Sequence, residues 1–117
     1  MDARRQLQLM LESDRNFHKI ASIRSVPLRT DANHLERRQH QRGINNSMIA
    51  VALLYGQQQF SHGALIFTIT DRILRGTPYS KLLDWLRGLR VVCLQGPPDA
   101  KVLTAYWHKK TKSRVRR

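Results

Sequence analysis

Carboxylates are scarce in this sequence: eight Asp and Glu face 21 Lys and Arg in 117 residues, a formal charge of +13 at neutral pH. The few acids are scattered, with no cluster that could hold a pair of catalytic metals, which argues against a metal-dependent nuclease. Cysteine occurs once, so no internal disulfide can form. Within the apolar run RVVCLQ, Cys93 reads as a small buried hydrophobe rather than a reactive thiol. His18 and His62 have no metal-ligand spacing with each other or with Cys93, and no metal is expected. The glycines form neither GxxxxGK[ST] nor GxGxxG, which excludes the usual phosphate cradles, and no cofactor is expected. No apolar run approaches the roughly 18 residues that cross a bilayer. The N-terminus MDARRQLQLMLESDR lacks the apolar core of a signal peptide. The expectation is a cytoplasmic protein with no membrane partner.

What is present fits one domain. Apolar residues make up 41% of the chain and charged residues 25%, enough for a single modest core. The charge is uneven. Residues 1–30 carry six bases against three acids, residues 31–100 eight against five, and residues 101–117 seven against none. Such an excess is self-repulsive unless a polyanion relieves it, and phosphate backbones do so with counterion release adding affinity. The plainer alternative is solubility or attraction to acidic membranes.

Along the chain, Leu7, Met10, Leu11, Phe17 and Ile20 recur at mostly helical spacing, predicting an amphipathic helix over residues 3–23 that lies outside the core. Pro27 interrupts the pattern, and Ser25 to Thr30 reads as a linker. Residues 1–29 are therefore expected to be an N-terminal helical extension. Asp31 caps a second helix, ANHLERRQHQR, ending at Gly43; a third, MIAVALLY, starts near Ser47, Asn45 or Asn46 and is apolar on nearly every side. QQQF, the turn SHG and ALIFTITDRIL read as antiparallel strands, TPYSKLLDWLRGL as a short helix, and RVVCLQ and KVLTAYW as a hairpin around GPPDA. The fold class is α+β, with the helices packed on one face of the sheet. The main domain spans residues 30–108, and a basic tail occupies residues 109–117.

His34, Arg38 and Arg42 are four residues apart and form one stripe on a helix. Two guanidiniums can hold phosphate oxygens while an imidazole moves a proton; a solvated helix face is the plain alternative, and suits Arg37 and His40 better. On the last strand Thr104 and Tyr106 project from one face, where hydroxyls can line a cleft or simply satisfy strand propensity. Thr68 and Thr70 admit the same two readings. Arg72, next to Asp71 at an expected strand end, is a candidate phosphate ligand or part of a structural pair. His108, Lys109, Lys110, Lys112, Arg114, Arg116 and Arg117 supply nonspecific attraction for nucleic acid. Trp85 and Trp107 suit core packing better than base stacking.

HLERRQHQRGI, residues 34–44, resembles a widespread bacterial family of small domains of unknown function regarded as toxins, with the pattern H-x-x-x-R-(M)-x-x-R-G-I. His34, Arg38, Arg42, Gly43 and Ile44 follow it in order, and FTITDRIL, LRGLRVV and VLTAYW continue the likeness less specifically, over about residues 30–108. Gln39 stands where the family usually has Met, and TPYSKLLDWL is an insertion. The resemblance implies a RelE-like or barnase-like fold, in which one or two helices pack on a four-stranded antiparallel sheet. It also implies metal-independent RNA cleavage by basic and imidazole groups with a residue on the last strands.

The leading expectation is an RNA-binding protein acting as a metal-independent ribonuclease toxin. His34 is its base or acid, Arg38 and Arg42 stabilise the phosphorane, and Tyr106 or His108 assists proton transfer. The alternative is a non-catalytic nucleic-acid-binding module or subunit of a larger assembly. Expected partners are nucleic acid, RNA ahead of DNA, and an acidic antitoxin or a second copy docked through the N-terminal helix.

Overall fold

The computed structural model describes residues 2–26 and 43–112. Asp2 starts helix α1 (Ala3–Glu12) by accepting a hydrogen bond from the Arg5 amide at 2.9 Å. The helix ends well short of residue 23. Asp14 accepts from the Asn16 amide at 2.8 Å, a turn that diverts the backbone from helix; a 3-10 turn (Phe17–Lys19) and strand β1 (Ser22–Ser25) follow. The expected helix of residues 31–42 lies outside the described residues.

Asn45 caps α2 (Asn46–Tyr55), its side chain accepting from the Met48 amide at 2.9 Å. Met48 to Leu53 are all buried. Gly56 then turns the chain into β2 (Gln57–Ser61). A side chain at Gly56 would collide with the Ala52 carbonyl and press on Phe67 Cβ and the Thr68 amide, each at 3.2 Å. His62 and Gly63, with φ of +51° and +78°, form the two-residue turn into β3 (Ala64–Thr68).

The strand expected through Leu74 stops early. Thr70 accepts from the Ile73 amide at 3.3 Å and caps a helical turn, α3 (Asp71–Leu74). A 3-10 turn (Pro78–Leu82), α4 (Leu83–Leu86), β4 (Leu89–Gln95), β5 (Asp99–Trp107) and α5 (Lys109–Lys112) complete the described chain.

The class is α+β, with a correction to the sheet. Among the described residues it has five strands in the order β1-β5-β4-β3-β2, not four, and is mixed, because β1 runs parallel to β5. Ile23 aligns with Ala100 across that pair. On one face Phe67, Val91 and Ala105 form a buried row under α2. Helix α1 is a second layer, packed on α2 and the 3-10 turn of residues 78–82 rather than laid on the sheet with it. Leu7 and Leu11 are fully buried there, so the described part of the expected N-terminal extension belongs to the core. Burial of each leucine contributes about 2 kcal/mol. Leu7 and Leu11 are thus spent within the chain, while Leu9 of the same helix stays exposed. Cys93 is wholly buried, and burial pushes its thiol up to about 12, in keeping with its reading as a hydrophobe. Trp85 and Trp107 pack against the core. No helix among the described residues is long and apolar enough to cross a membrane.

One carboxylate ties these layers together. Asp14 Oδ2 accepts from the hydroxyls of Tyr55 at 2.6 Å and Tyr79 at 2.7 Å, joining the end of α1 to the end of α2 and to the 3-10 turn. The Asn16 amide group donates to the Tyr55 oxygen at 3.1 Å. Burial works to raise the Asp14 pKa, but the hydrogen bonds from Tyr55, the Asn16 backbone and Tyr79, with the charge of Arg15, together outweigh it and hold the carboxyl below its ordinary 3.8. Burial and the Asp14 bond push the Tyr79 phenol upward. A depressed folded-state pKa adds stability that is present above the unfolded value and lost as pH falls through the folded one. Asp14→Asn should therefore lower the melting temperature at neutral pH. The gap from the native chain should persist down to the ordinary carboxylate range and close below pH 3.8 in thermal melts across a pH series.

Candidate nucleic-acid interface

The sheet face opposite α2 carries the polar strand residues. Strand register sets Gln57, Thr68, Arg90 and Tyr106 side by side in one row, with Gln59, Ile66, Val92 and Thr104 in the next. Arg90 Nε donates to Thr68 Oγ1 at 3.0 Å, which fixes the guanidinium across the face. Thr68 is buried beneath it. Tyr106 flanks Arg90 from β5, so a cation, a phenol and a hydroxyl converge within one row. Tyr106 and Thr104, paired from their spacing alone, do share this face. Arg90 escaped notice there because it opens an apolar run; its value comes from register with Thr68 and Tyr106.

One end of the sheet gathers further cations. The Ile69 amide donates to the Leu89 carbonyl, the Gly88 amide to the Ile69 carbonyl at 2.9 Å, and the His108 amide to the Gly88 carbonyl at 2.7 Å. These bonds bring the exits of β3 and β5 to the start of β4. His108 therefore lies near Arg90, and the exposed Lys109 and Lys110 follow on α5. His108 Nδ1 lies 2.8 Å from Thr111 Oγ1, which orients the ring. Burial first, then the charges of Arg90 and Lys110, hold the His108 pKa below 6.5, which favours the neutral ring. A neutral imidazole beside a guanidinium can accept a proton.

At the opposite flank Arg24 of β1 aligns with Lys101 of β5, both exposed. Like charges directly across a strand pair repel and are relieved by an anion. Asp99 is the only acid in the five described strands, and Ser22 Oγ donates to it at 3.0 Å. Asp71, expected at a strand end beside Arg72, instead sits in the first turn of α3 and pairs with Arg87. The Arg87 guanidinium binds it through Nε and through Nη2 at 3.2 Å, and reaches Asp84 at 3.0 Å through Nη1. Arg87 is thereby fixed as a structural cation, while Arg72 is exposed on α3 at the end where β3 exits.

His34, Arg38 and Arg42 lie outside the described residues, as do Arg114, Arg116 and Arg117; Lys112 ends α5. Of the motif that carries the family resemblance, Gly43 takes φ of +70° and Ile44 is buried. Among the described residues no three His, Cys, Asp or Glu come together as metal ligands. Comparison with family models, with curated proteins and with solved structures finds no match for this chain.

Replacing Arg90 with Ala removes one of the charges that depress His108. The His108 ring should then titrate closer to 6.5 than in the native chain, while remaining below it because burial persists; imidazole proton resonances followed against pH will read the change.

Proposed function

We propose that this protein binds RNA across the outer face of its sheet, with the basic C-terminal tail supplying nonspecific capture. The observation that carries the reading is the row of Thr68, Arg90 and Tyr106, which adjoins His108, Lys109 and Lys110 at one end of the sheet. A guanidinium anchored on a sheet face binds phosphate or stacks on a base, and a strand tyrosine offers a second stacking surface. Arg24 and Lys101 extend the cationic path along the face.

Fluorescence anisotropy with a labelled single-stranded RNA across a salt series tests this. Arg90→Ala and Tyr106→Ala should each weaken binding by about fivefold or more, in line with stacking contributions of roughly 1–3 kcal/mol per base. Deleting residues 109–117 should flatten the salt dependence by about 0.7 in log–log slope for each phosphate that the tail neutralises in the native complex. If the tail deletion abolishes binding while both face variants bind as the native chain does, the face is not the interface.

The second reading is metal-independent cleavage by a toxin-type ribonuclease, favoured by a neutral His108 beside Arg90 and Tyr106. The 2′-hydroxyl attacks the adjacent phosphorus, the 2′-oxygen to phosphorus bond forms and the bond to the 5′-oxygen breaks. His34 or His108 removes the hydroxyl proton, a protonated partner supplies one to the leaving oxygen, and Arg38, Arg42 and Arg90 stabilise the phosphorane. An acidic antitoxin would cover the same cations. Single-stranded RNA incubated in chelator should be cut by the native chain and at least about 100-fold more slowly by His34→Ala or His108→Ala. RNA left intact by the native chain ends the catalytic reading and leaves the binding one.

A further inference from the structure

We propose that the free edge of β2 pairs with the β2 edge of a second copy, joining two sheets into one continuous sheet. Among the described residues, strand β2 ends the sheet and pairs on one side only, with β3. The two-residue turn at His62 and Gly63 makes Ser61 and Ala64 a hydrogen-bonded pair, and alternation does the same for Gln59 with Ile66 and Gln57 with Thr68. Gln58 and Phe60 therefore aim their N–H and C=O groups away from the sheet.

Open edges are normally blunted by lysine, proline, a bulge or brevity. The two edges differ sharply in this respect. Strand β1 is four residues long and carries the exposed Arg24. Strand β2 reads QQQFS, pairs with β3 in unbroken register and has no charge or proline, and its Phe60 is 72% exposed. Charge points the same way. Residues 43–70 contain no Asp, Glu, Lys or Arg in a chain of +13, so the β2–β3 side is the part of the sheet by which two such chains can approach with least repulsion.

The edge is also self-complementary. Antiparallel pairing about a two-fold axis at Gln59 sets Gln58 opposite the partner's Phe60 and Phe60 opposite the partner's Gln58. These are the hydrogen-bonded positions, so every outward N–H and C=O of Gln58 and Phe60 finds a mate. The two Gln59 amides meet at the axis, and the two Phe60 rings become diagonal neighbours within reach of each other. Because the axis is perpendicular to the sheet, the two outer faces come to lie on the same side.

Sedimentation of the full chain without nucleic acid, with site-directed cross-linking, tests the pairing. Gln59→Cys should form a disulfide-linked dimer on mild oxidation, since the axial Cα atoms would lie about 4.5 Å apart. Gln57→Cys should not, being roughly 14 Å from its mate; Cys93 is buried and does not compete. Gln59→Lys, which places two ammonium groups at the axis, should sediment as a monomer with an unchanged circular dichroism spectrum. Association of the native chain should strengthen with added salt, the reverse of RNA binding. The proposal is overturned if the native chain is monomeric at about 100 μM, if positions 57 and 59 cross-link equally, or if Gln59→Lys remains a dimer. A monomer that instead takes up a strand from another protein also overturns it.

Discussion

A helix that is apolar on every side has to be covered on every side. Residues Met48 to Leu53 of α2 are buried without a break, so the sheet can satisfy only one half of the helix and a second layer must satisfy the other. That requirement draws Leu7 and Leu11 of α1 into the core. The Asp14 carboxylate then fixes the layers by taking hydroxyl donors from Tyr55 on α2 and Tyr79 beyond it, at the point where α1 gives way to the turn. At the other side Gly56 lets the helix end directly against Phe67 and Thr68, which places β2 at the edge of the sheet.

With one face committed to the core, the other face and the edges carry the chemistry. Strand alternation sends Val91, Phe67 and Ala105 inward and Arg90, Thr68 and Tyr106 outward. The described aspartates are each given a local partner. Asp2 caps α1, Asp14 holds two tyrosines, Asp71 and Asp84 bind Arg87, and Asp99 accepts from Ser22. Of these, Asp71 and Asp84 are paired with a base, Arg87; the others keep their charge, and Asp99 lies on the same strand pair as Arg24 and Lys101. Among the strand residues, the cations Arg24, Arg90 and Lys101 lie on β1, β4 and β5, while β2 and β3 carry none.

This division gives the molecule two surfaces of different physics. A cationic face gains from counterion release and loses affinity with salt. A neutral strand edge gains from backbone hydrogen bonds and an exposed aromatic, and salt favours it by screening the repulsion between like-charged chains. An RNA site on the first and a self-pairing edge on the second would be compatible, because the two-fold pairing leaves both outer faces directed the same way.

Much of the local structure was legible in the residues themselves. The all-round apolarity of MIAVALLY, the SHG turn, the hairpin about GPPDA and the hydroxyl pair Thr104 and Tyr106 follow from periodicity and turn chemistry, which are properties of neighbours in the chain. Where the reading failed, a distant partner decided. Ser22–Ser25 continued a helical spacing through Ile20 but became a strand because it pairs with Asp99–Val102, some 77 residues away. Residues 71–74 continued a strand pattern but turned into a helix at the Thr70 cap, with Asp71 drawn to Arg87. Arg90 looked like an ordinary member of a β-rich run, and only strand register placed it between Thr68 and Tyr106. Composition determined that the chain is strongly cationic and has one core. Tertiary pairing determined which cations share a face, because register and layer order depend on contacts between segments that no local pattern encodes.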